Sequence, residues 1–307
     1  MRYFLLITLL SSTALACAVS DNDYPLQKVA DGIYFHQGIH EDASEENIGA
    51  IANVGFVVGN KCVAIIDSGG SYREGQHLHK ALREVTDVPV CYVINTHVHP
   101  DHILGNAAFT DENPAFVGHE KLPAALAARE EHFARNFAES LGDAYTGTQF
   151  IAADTLVSPE KPLSLDLGGR ELILNAYPTA HTDHDLTVFD PQTQTLWTGD
   201  LLFRERIPAL DGSINGWIDT LKKLQSNDYK AIIPGHGPAA IGKDADWDKL
   251  LAYLTTVREE VRMQINDLGT LEQATTTVGL SERQNWELFE QYHRRNVTAA
   301  FVELEWE

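Results

Sequence analysis

The most informative segment of this chain is Thr96-His97-Val98-His99-Pro100-Asp101-His102, which directly follows a short apolar run. In an extended segment, residues two apart point the same way, so His97 and His99 can grip one metal ion together. The chain then turns at Pro100, which lets Asp101 and His102 face a second ion. Because imidazole and carboxylate groups suit zinc, the segment predicts a zinc site rather than a histidine-rich surface loop.

Three more polar residues, His181, Asp200 and His236, stand at or just after an apolar strand, beside glycine or another small residue. Taken singly, either histidine would be an ordinary loop residue. Together with the first segment they predict a shared site, because α/β proteins gather functional side chains where their strands end. We therefore expect seven side chains to converge on two metal ions: His97, His99, Asp101, His102, His181, Asp200 and His236.

The rest of the chain alternates between strand and helix patterns, which predicts a layered α/β architecture. Strands are predicted over 28–38, 50–59, 61–67, 90–95, 115–118, 163–166, 171–177, 185–190, 195–197 and 231–234, and helices over 72–86, 120–141 and 216–224. From Asp246 onward the pattern is helical. We expect a domain over 19–245, followed by a helical extension over 246–307 that packs on it.

The composition is strongly acidic, with 23 Lys and Arg against 44 Asp and Glu, a net charge of -21. Such a surface repels phosphate backbones, which argues against a nucleic-acid substrate. Hydrophobic residues make up 44% of the 307 positions, enough to bury a substantial core. The expected ligand is a small molecule, and a basic protein partner would complement the surface charge.

Residues 1–18 are predicted to be a signal peptide. The apolar run Tyr3 to Leu10 is too short to span a bilayer, and Ala14-Leu15-Ala16 matches a small-residue cleavage site. We expect a periplasmic or secreted protein rather than an integral membrane protein, with lipoprotein anchoring at Cys17 as the alternative.

Two cysteines remain after such processing. Cys62 and Cys91 each lie near the start of a strand-like run. Export implies an oxidising compartment, where a disulfide between neighbouring strands would persist. Two separate buried thiols are the alternative, because sequence does not give the Cα spacing that a disulfide requires.

The motifs as a set resemble those of the metallo-β-lactamase superfamily. His-Val-His-Pro-Asp-His, a lone histidine, Gly-Asp and Pro-Gly-His-Gly occur in that order, and Ile66-Asp67-Ser68-Gly69 lies upstream. The resemblance implies a four-layered αββα sandwich with a dinuclear zinc site at one edge. It assigns His97, His99 and His181 to the first zinc, Asp101, His102 and His236 to the second, and Asp200 to a bridge between them. Asp67 resembles the family's strand-end aspartate, which supports the ligands through hydrogen bonds.

The residue at the bridging position indicates which branch of the superfamily this chain resembles. One large group of true β-lactamases has a cysteine there, whereas Asp200 makes this site more similar to glyoxalase II and related hydrolases. The segment Ala180-His-Thr-Asp-His-Asp185, together with 198–203 and 207–217, is similar to the exported zinc metallohydrolases of quinoprotein relay systems. That branch is related to a sulfur-oxidation accessory protein and is encoded with periplasmic quinoprotein alcohol dehydrogenases. The resemblance thus implies a quinoprotein or cytochrome partner.

The ligand set predicts a hydrolase. Two zinc ions would share a water and lower its pKa toward about 7, so that hydroxide attacks an ester, thioester or amide-like carbonyl. Asp101 would orient this nucleophile while binding metal. The alternative is a metal-binding accessory protein of a periplasmic redox system, without turnover. Iron chemistry is disfavoured, because iron members of this fold carry a carboxylate where this chain has His99.

For several residues near the predicted ligands, the sequence leaves two roles open. His184 either hydrogen-bonds around the ligands or caps the next strand. Arg204 and Arg206 either bind a substrate carboxylate or, by default, pair with surface acids. Trp217 is expected in the core. The helix predicted over 120–141 presents a solvated charged face or forms a lid over the site.

Overall fold

The fold is described from a computed structural model over residues 24–242 and 245–307, so the predicted signal peptide and Cys17 lie outside the described residues. The strands are β1 (Gln27–Ala30), β2 (Ile33–His36), β3 (Val54–Val58), β4 (Val63–Ile66), β5 (Val90–Ile94), β6 (Ala115–His119), β7 (Thr155–Val157), β8 (Leu163–Asp166), β9 (Glu171–Ala176), β10 (Leu186–Asp190), β11 (Thr195–Phe203), β12 (Ala231–His236) and β13 (Ala240–Ile241). The α-helices are α1 (Tyr72–Val85), α2 (Pro100–Ile103), α3 (Leu122–Leu141), α4 (Ile214–Gln225), α5 (Trp247–Asn266), α6 (Leu271–Thr277) and α7 (Phe289–Leu304). In the described part of the chain, no helix is both long enough and apolar enough to cross a bilayer.

The strands form two sheets. The first has the order β1-β2-β3-β4-β5-β6-β7, and the second has the order β13-β12-β11-β10-β9-β8. Strands β4 to β7 run parallel, as do β11 and β12. Because parallel strands end at the same edge of a sheet, the loops that follow β4 and β5 meet at one edge of the first sheet, and β11 and β12 end at one edge of the second.

Side-chain alternation in β4 explains why the first sheet is covered on both faces. Val63 and Ile65 share a core with α1, whereas Ala64 and Ile66 share a second core with the other sheet. Successive side chains of a strand point to opposite faces, so an all-apolar strand requires two packing partners. On the far face of the second sheet, α4, α5 and α7 complete a third core. The predicted αββα sandwich is confirmed.

The C-terminal helices hold a loop of the sandwich in place. The Glu303 carboxylate of α7 accepts hydrogen bonds from Ser213 Oγ at 2.7 Å and from Ile214 N at 2.6 Å, so it caps the start of α4. Asn296 Oδ1, also on α7, accepts from Leu210 N at 2.9 Å. The segment between β11 and α4 is therefore fixed by a helix that follows it by more than 80 positions. The domain boundary at 245/246 stays a prediction.

Several strand predictions were wrong in extent, and the stretch 50–59 is a strand only over Val54–Val58. The stretch 28–38 is a hairpin rather than one strand, because Gly32 adopts a φ of 67° and turns the chain between β1 and β2. Strand β11 continues past Trp197 to Phe203, since all nine of its residues are buried and no exposed residue marks an end. The strand predicted over 231–234 continues to His236, and β13 follows it and pairs with it antiparallel.

Cys62 and Cys91 form a disulfide, with their Cα atoms 5.4 Å apart. The disulfide is therefore confirmed over the alternative of two separate buried thiols. The parallel pairing of β4 with β5 places Val63 opposite Val90, and this register brings the two cysteines together. The bridge lies at the start of β4, whereas Asp67 follows the end of that strand.

Replacing both cysteines with alanine should lower the free energy of unfolding by about 3–4 kcal/mol, because the bridge closes a loop with a sequence separation of 29. Guanidinium unfolding of the double variant and of the oxidised wild type measures the difference. Zinc content should stay unchanged, because the bridge lies at the opposite end of β4 from Asp67. An unchanged unfolding midpoint would contradict the prediction.

Candidate metal centre

The seven predicted ligands lie together at one edge of the sandwich. His97 and His99 are in the loop after β5, Asp101 and His102 are on α2, His181 is in the loop after β9, Asp200 lies within β11, and His236 ends β12. The structure divides their ligand atoms into two neighbouring groups, each compact enough for one ion.

The first group consists of four atoms around one point. His99 Nδ1 lies 3.0 Å from His97 Nε2 and 3.1 Å from His181 Nε2. Asp200 Oδ2 lies 3.5 Å from His97 Nε2 and 3.4 Å from His181 Nε2. Zinc bonds of about 2.0–2.1 Å in a tetrahedron separate the ligand atoms by about 3.3–3.4 Å. The four atoms thus have nearly the spacing that a tetrahedral zinc ion requires.

The second group uses the other oxygen of Asp200. Asp200 Oδ1 lies 3.2 Å from His102 Nε2 and 3.4 Å from His236 Nε2. Asp101 Oδ2 lies 3.4 Å from His236 Nε2 and 3.8 Å from His102 Nε2. Each oxygen of Asp200 therefore faces a different group, as a bridging ligand would.

The donor atoms fit a pair of divalent cations. His102 Nε2 and Asp200 Oδ1 are buried, and although they lie 3.2 Å apart, neither makes a hydrogen bond of good geometry. Leaving such a group unsatisfied costs about 1–3 kcal/mol, so its presence in a folded core calls for an explanation. An ion between these atoms would satisfy both. It would also relieve the close approach of the three ring nitrogens in the first group.

The Asp67 carboxylate orients two candidate ligands, His102 directly and His97 through Thr96. Its Oδ2 lies 2.8 Å from His102 Nδ1 and accepts a hydrogen bond from Thr96 Oγ1 at 2.8 Å, while Oδ1 accepts from Thr96 N at 2.8 Å. Thr96 Oγ1 in turn lies 3.1 Å from His97 Nδ1. These acceptors hold the proton of each ring on Nδ1, so that Nε2 presents its lone pair to the centre.

Two further rings are oriented by acceptors outside the centre. His236 Nδ1 lies 2.8 Å from the carbonyl oxygen of Ile51. His99 binds in the opposite sense, with Nδ1 inward and Nε2 3.3 Å from Asp211 Oδ2. Burial opposes ionisation of Asp211, but the hydrogen bond from His99 outweighs it and lowers the pKa of this carboxyl to about 2. Sequence analysis missed Asp211, because its place depends on long-range contacts: its backbone N donates to His181 O at 3.1 Å, and α7 holds the neighbouring Leu210.

The protonation of the rings suits metal binding. Burial lowers the pKa of His97 well below its ordinary value, lowers that of His181 to about 3, and also lowers that of His236. Neutral imidazole is the form that binds metal. Burial acts the same way on His102, but the three carboxylates around its ring outweigh it and raise its pKa well above the ordinary value. A metal cation at this position would balance the three carboxylates in place of the second proton of the His102 ring.

Two glycines allow the backbone to approach the bridging aspartate. A Cβ at Gly235 would lie 1.9 Å from Asp200 Oδ1. Gly199 has a φ of 50°, and a Cβ there would lie 2.5 Å from Thr96 Oγ1. The small residues beside the polar ones in Gly-Asp and Pro-Gly-His-Gly therefore make room for the centre.

A cavity of about 550 Å³ opens beside both groups and exposes His99, Asp101 and His236 at its floor. Its walls come from α3, from the segment after β11 and from α7. The apolar part of the lining includes Phe133, Phe137, Phe203, Ile207 and Leu210. Helix α3 therefore borders the site, which agrees with the lid interpretation rather than with a wholly solvated face.

His184 lies in the loop after His181. Its Nδ1 is 3.0 Å from Thr182 Oγ1, which donates a hydrogen bond to Asp185 Oδ1 at 2.6 Å. His184 thus belongs to the network that shapes this loop. Trp217 is fully buried, as predicted, and its ring centroid lies 5.0 Å from that of His181.

The two arginines after Asp200 differ from each other. Arg204 pairs with Asp246 at 3.0 Å, as the default interpretation predicted. For Arg206 that interpretation was wrong, because the residue is 5% exposed and its NH2 donates to Tyr292 Oη at 3.0 Å. The packing of α7 over this segment buries Arg206 at the cavity wall.

A layered αββα sandwich with two adjacent His/Asp groups at its edge defines a metal-binding protein of the α/β class. The family model for the metallo-beta-lactamase superfamily matches residues 48–236, and the chain belongs to that superfamily, whose members are generally hydrolases. A comparison with curated protein sequences gave no match.

Solved structures share the fold at low sequence identity. A metallo-beta-lactamase from Pontibacter korlensis is 19% identical over 75% of this chain and 98% of its own, with a TM-score of 0.56. The enzyme TMB-1 is 16% identical over 75% of this chain and 96% of its own, with a TM-score of 0.58. The inverting sec-alkylsulfatase Pisa1 from Pseudomonas sp. is 16% identical, with a TM-score of 0.68 over 92% of this chain and 50% of its own.

Proposed function

We propose that this protein is a dinuclear zinc hydrolase that cleaves an ester, thioester or amide-like bond of a small molecule. The observation that carries the proposal is the orientation of Asp200, whose two oxygens face separate groups of ligand atoms. A single ion would need only one of these oxygens. When bound, a pair of zinc ions supplies Lewis acidity and a water of lowered pKa.

Asp101 is the residue that we assign to orienting the nucleophile. Its side chain is 14% exposed and lies on the cavity floor, with Oδ2 3.4 Å from His236 Nε2. One carboxylate oxygen can thus face the second group, while the side chain remains accessible to a water from the cavity. His97, His99 and His181 would hold the other group: hydrogen bonds to Thr96 and Asp211 orient the first two rings, and close packing in the core orients His181.

We further propose that the protein works outside the cytoplasm and serves a periplasmic quinoprotein dehydrogenase system. The Cys62–Cys91 disulfide supports export, because such bridges persist in oxidising compartments. The net charge of -21 would favour docking to a basic quinoprotein or cytochrome partner. The resemblance of segments 180–185, 198–203 and 207–217 to quinoprotein relay metallohydrolases is the reason for naming this system.

Elemental analysis and a substrate panel test the proposal. Protein purified from its native host should hold two zinc ions per chain. It should hydrolyse at least one member of a panel of esters, thioesters, lactams and alkyl sulfates. Dialysis against a chelator should abolish turnover, and added zinc should restore it. Inertness of the zinc-loaded protein across the panel, with salt-sensitive binding to a quinoprotein or cytochrome, would instead favour the accessory role.

A further inference from the structure

A third group of metal-ligating side chains lies outside the candidate metal centre. It consists of His40 in the loop after β2, Glu205 just after β11, and Glu287 just before α7. One ring nitrogen of His40 and one carboxylate oxygen of each glutamate all lie within 4.8 Å of one another. An imidazole with two carboxylates suits zinc and other divalent transition metals, whereas Ca²⁺ and Mg²⁺ prefer oxygen ligands alone.

His40 is the member of this group that points to a bound cation. Its side chain is only 10% exposed, and its Nδ1 lies 3.1 Å from Glu287 Oε2. This carboxylate favours the tautomer with the proton on Nδ1, so that Nε2 carries the lone pair. Nε2 is buried and has no hydrogen-bond partner among the residues that the structure describes. A buried nitrogen without a partner is rare in a folded protein, and a metal ion is a partner that neutral imidazole accepts.

The backbone holds the two glutamates side by side. Glu287 N donates to Glu205 O at 2.8 Å, and Ile207 N donates to Glu287 O at 3.0 Å. Arg206 N donates to Arg204 O at 2.7 Å across Glu205, whose φ is 64°. Glu205 is therefore the centre of a γ-turn of the rare, strained form. Such a conformation persists only where the surrounding structure imposes it, so the position of Glu205 beside Glu287 is fixed by the fold.

The two carboxylates lack a basic side chain to neutralise them. Within residues 24–242 and 245–307, Glu205 forms no ion pair, and His40 is the ion-pair partner of Glu287. The neighbouring Arg204 pairs with Asp246 instead. Two carboxylates at this separation repel each other, and a divalent cation held by both removes the repulsion. Because both glutamates are exposed, an ion can reach the group from solvent.

We propose that His40, Glu205 and Glu287 hold a third divalent transition-metal ion, zinc in the zinc-loaded protein, with water completing its coordination. His40 and Glu287 are 247 positions apart, so the ion would join the sandwich to the segment that leads into α7. It would also fix the γ-turn next to Arg206, whose NH1 lies 3.2 Å from His236 Nδ1. Binding at this site requires no hydrolytic activity.

Zinc titration of the full, zinc-loaded chain tests the third site. After gel filtration removes loosely bound metal, calorimetric titration with zinc chloride should show one further ion per wild-type chain. Glu205→Gln, a change at an exposed side chain, should weaken this binding about tenfold or more, and His40→Gln should abolish it. At a zinc concentration about 100-fold above the Kd of the third ion, the Tm of the wild type should exceed that of Glu205→Gln by about 5 °C.

His79 provides the matched control. Its ring contacts the carboxylate of Glu112, which already pairs with Arg83, and among the described residues it belongs to no group of three metal-ligating side chains. His79→Gln should therefore bind the further ion as the wild type does. The readout is a difference between variants, so it does not depend on the number of ions in the centre or on any turnover.

Two results would overturn the proposal. One is a wild-type chain that binds no further zinc ion. The other is equal binding by the wild type, Glu205→Gln and His40→Gln, which would identify the extra zinc as adventitious binding to the acidic surface. Crystals soaked in zinc chloride provide a direct check, because an anomalous difference peak at the zinc edge should lie between His40, Glu205 and Glu287.

Discussion

Replacing Asp200 with alanine should lower kcat/KM by about 1,000-fold or more and remove both zinc ions, whereas Asp101→Ala should remove mainly one. Asp200 places one oxygen 3.4 Å from His181 Nε2 and the other 3.2 Å from His102 Nε2, so its loss affects both groups. Asp101 faces only the second group. A loss of 1,000-fold corresponds to about 4 kcal/mol of transition-state stabilisation. Elemental analysis after gel filtration, together with kinetics on the best substrate of the panel, measures both effects.

The comparison between the two variants makes the prediction specific. Asp219→Ala, on the exposed face of α4, controls for the general effect of removing a carboxylate. Near-ultraviolet circular dichroism establishes that each variant keeps its tertiary packing. Equal zinc loss from Asp200→Ala and Asp101→Ala, or retention of two ions by Asp200→Ala, would argue against a bridge.

The clustering of the candidate ligands was predictable because most of them lie at or after the ends of apolar strands. Val90–Ile94 ends shortly before His97, and Ala231–His236 carries its histidine at the last position. An apolar run that ends in a metal-binding type of side chain is a local signal, and parallel pairing places several such ends at one edge. Local pattern and sheet topology therefore predict the convergence of the residues at strand ends, whereas Asp200 lies inside β11, where no strand end marks it.

The cavity wall was not predictable by the same means. Asp211 and Arg206 take their places because Asn296 and Tyr292 of α7 hold the segment between β11 and α4, which also bonds to the His181 loop. These contacts join residues separated by 86 positions, and no periodicity in either segment records them. Such packing decides which face of a loop is buried, so the default assignment of Arg206 to the surface was wrong. The extension of β11 past Trp197 could not be predicted either. Burial on both faces removes the alternation of polar and apolar residues that marks a strand.

The second large effect is expected at Asp67, which contacts no metal but sets the tautomer of a ligand. In Asp67→Asn, the amide oxygen can still accept from Thr96 N, but its NH2 group then faces His102 Nδ1, where Asp67 Oδ2 now lies at 2.8 Å. A donor at that position favours the tautomer with the proton on Nε2, the atom that faces Asp200 and Asp101. A protonated Nε2 has no lone pair for zinc.

Asp67→Asn should therefore weaken binding of one zinc ion by about 10–100-fold and reduce turnover in proportion, with the sandwich intact. Competition with a chromophoric chelator measures the two zinc affinities separately. Asp190→Asn is the matched control, because Asp190 is also buried and pairs with Arg170 at 2.8 Å through the same kind of carboxylate. That variant should lose stability but keep both zinc affinities. If Asp67→Asn binds two zinc ions as tightly as the wild type, the orientation of His102 does not depend on this carboxylate, and the centre is held by the ligands alone.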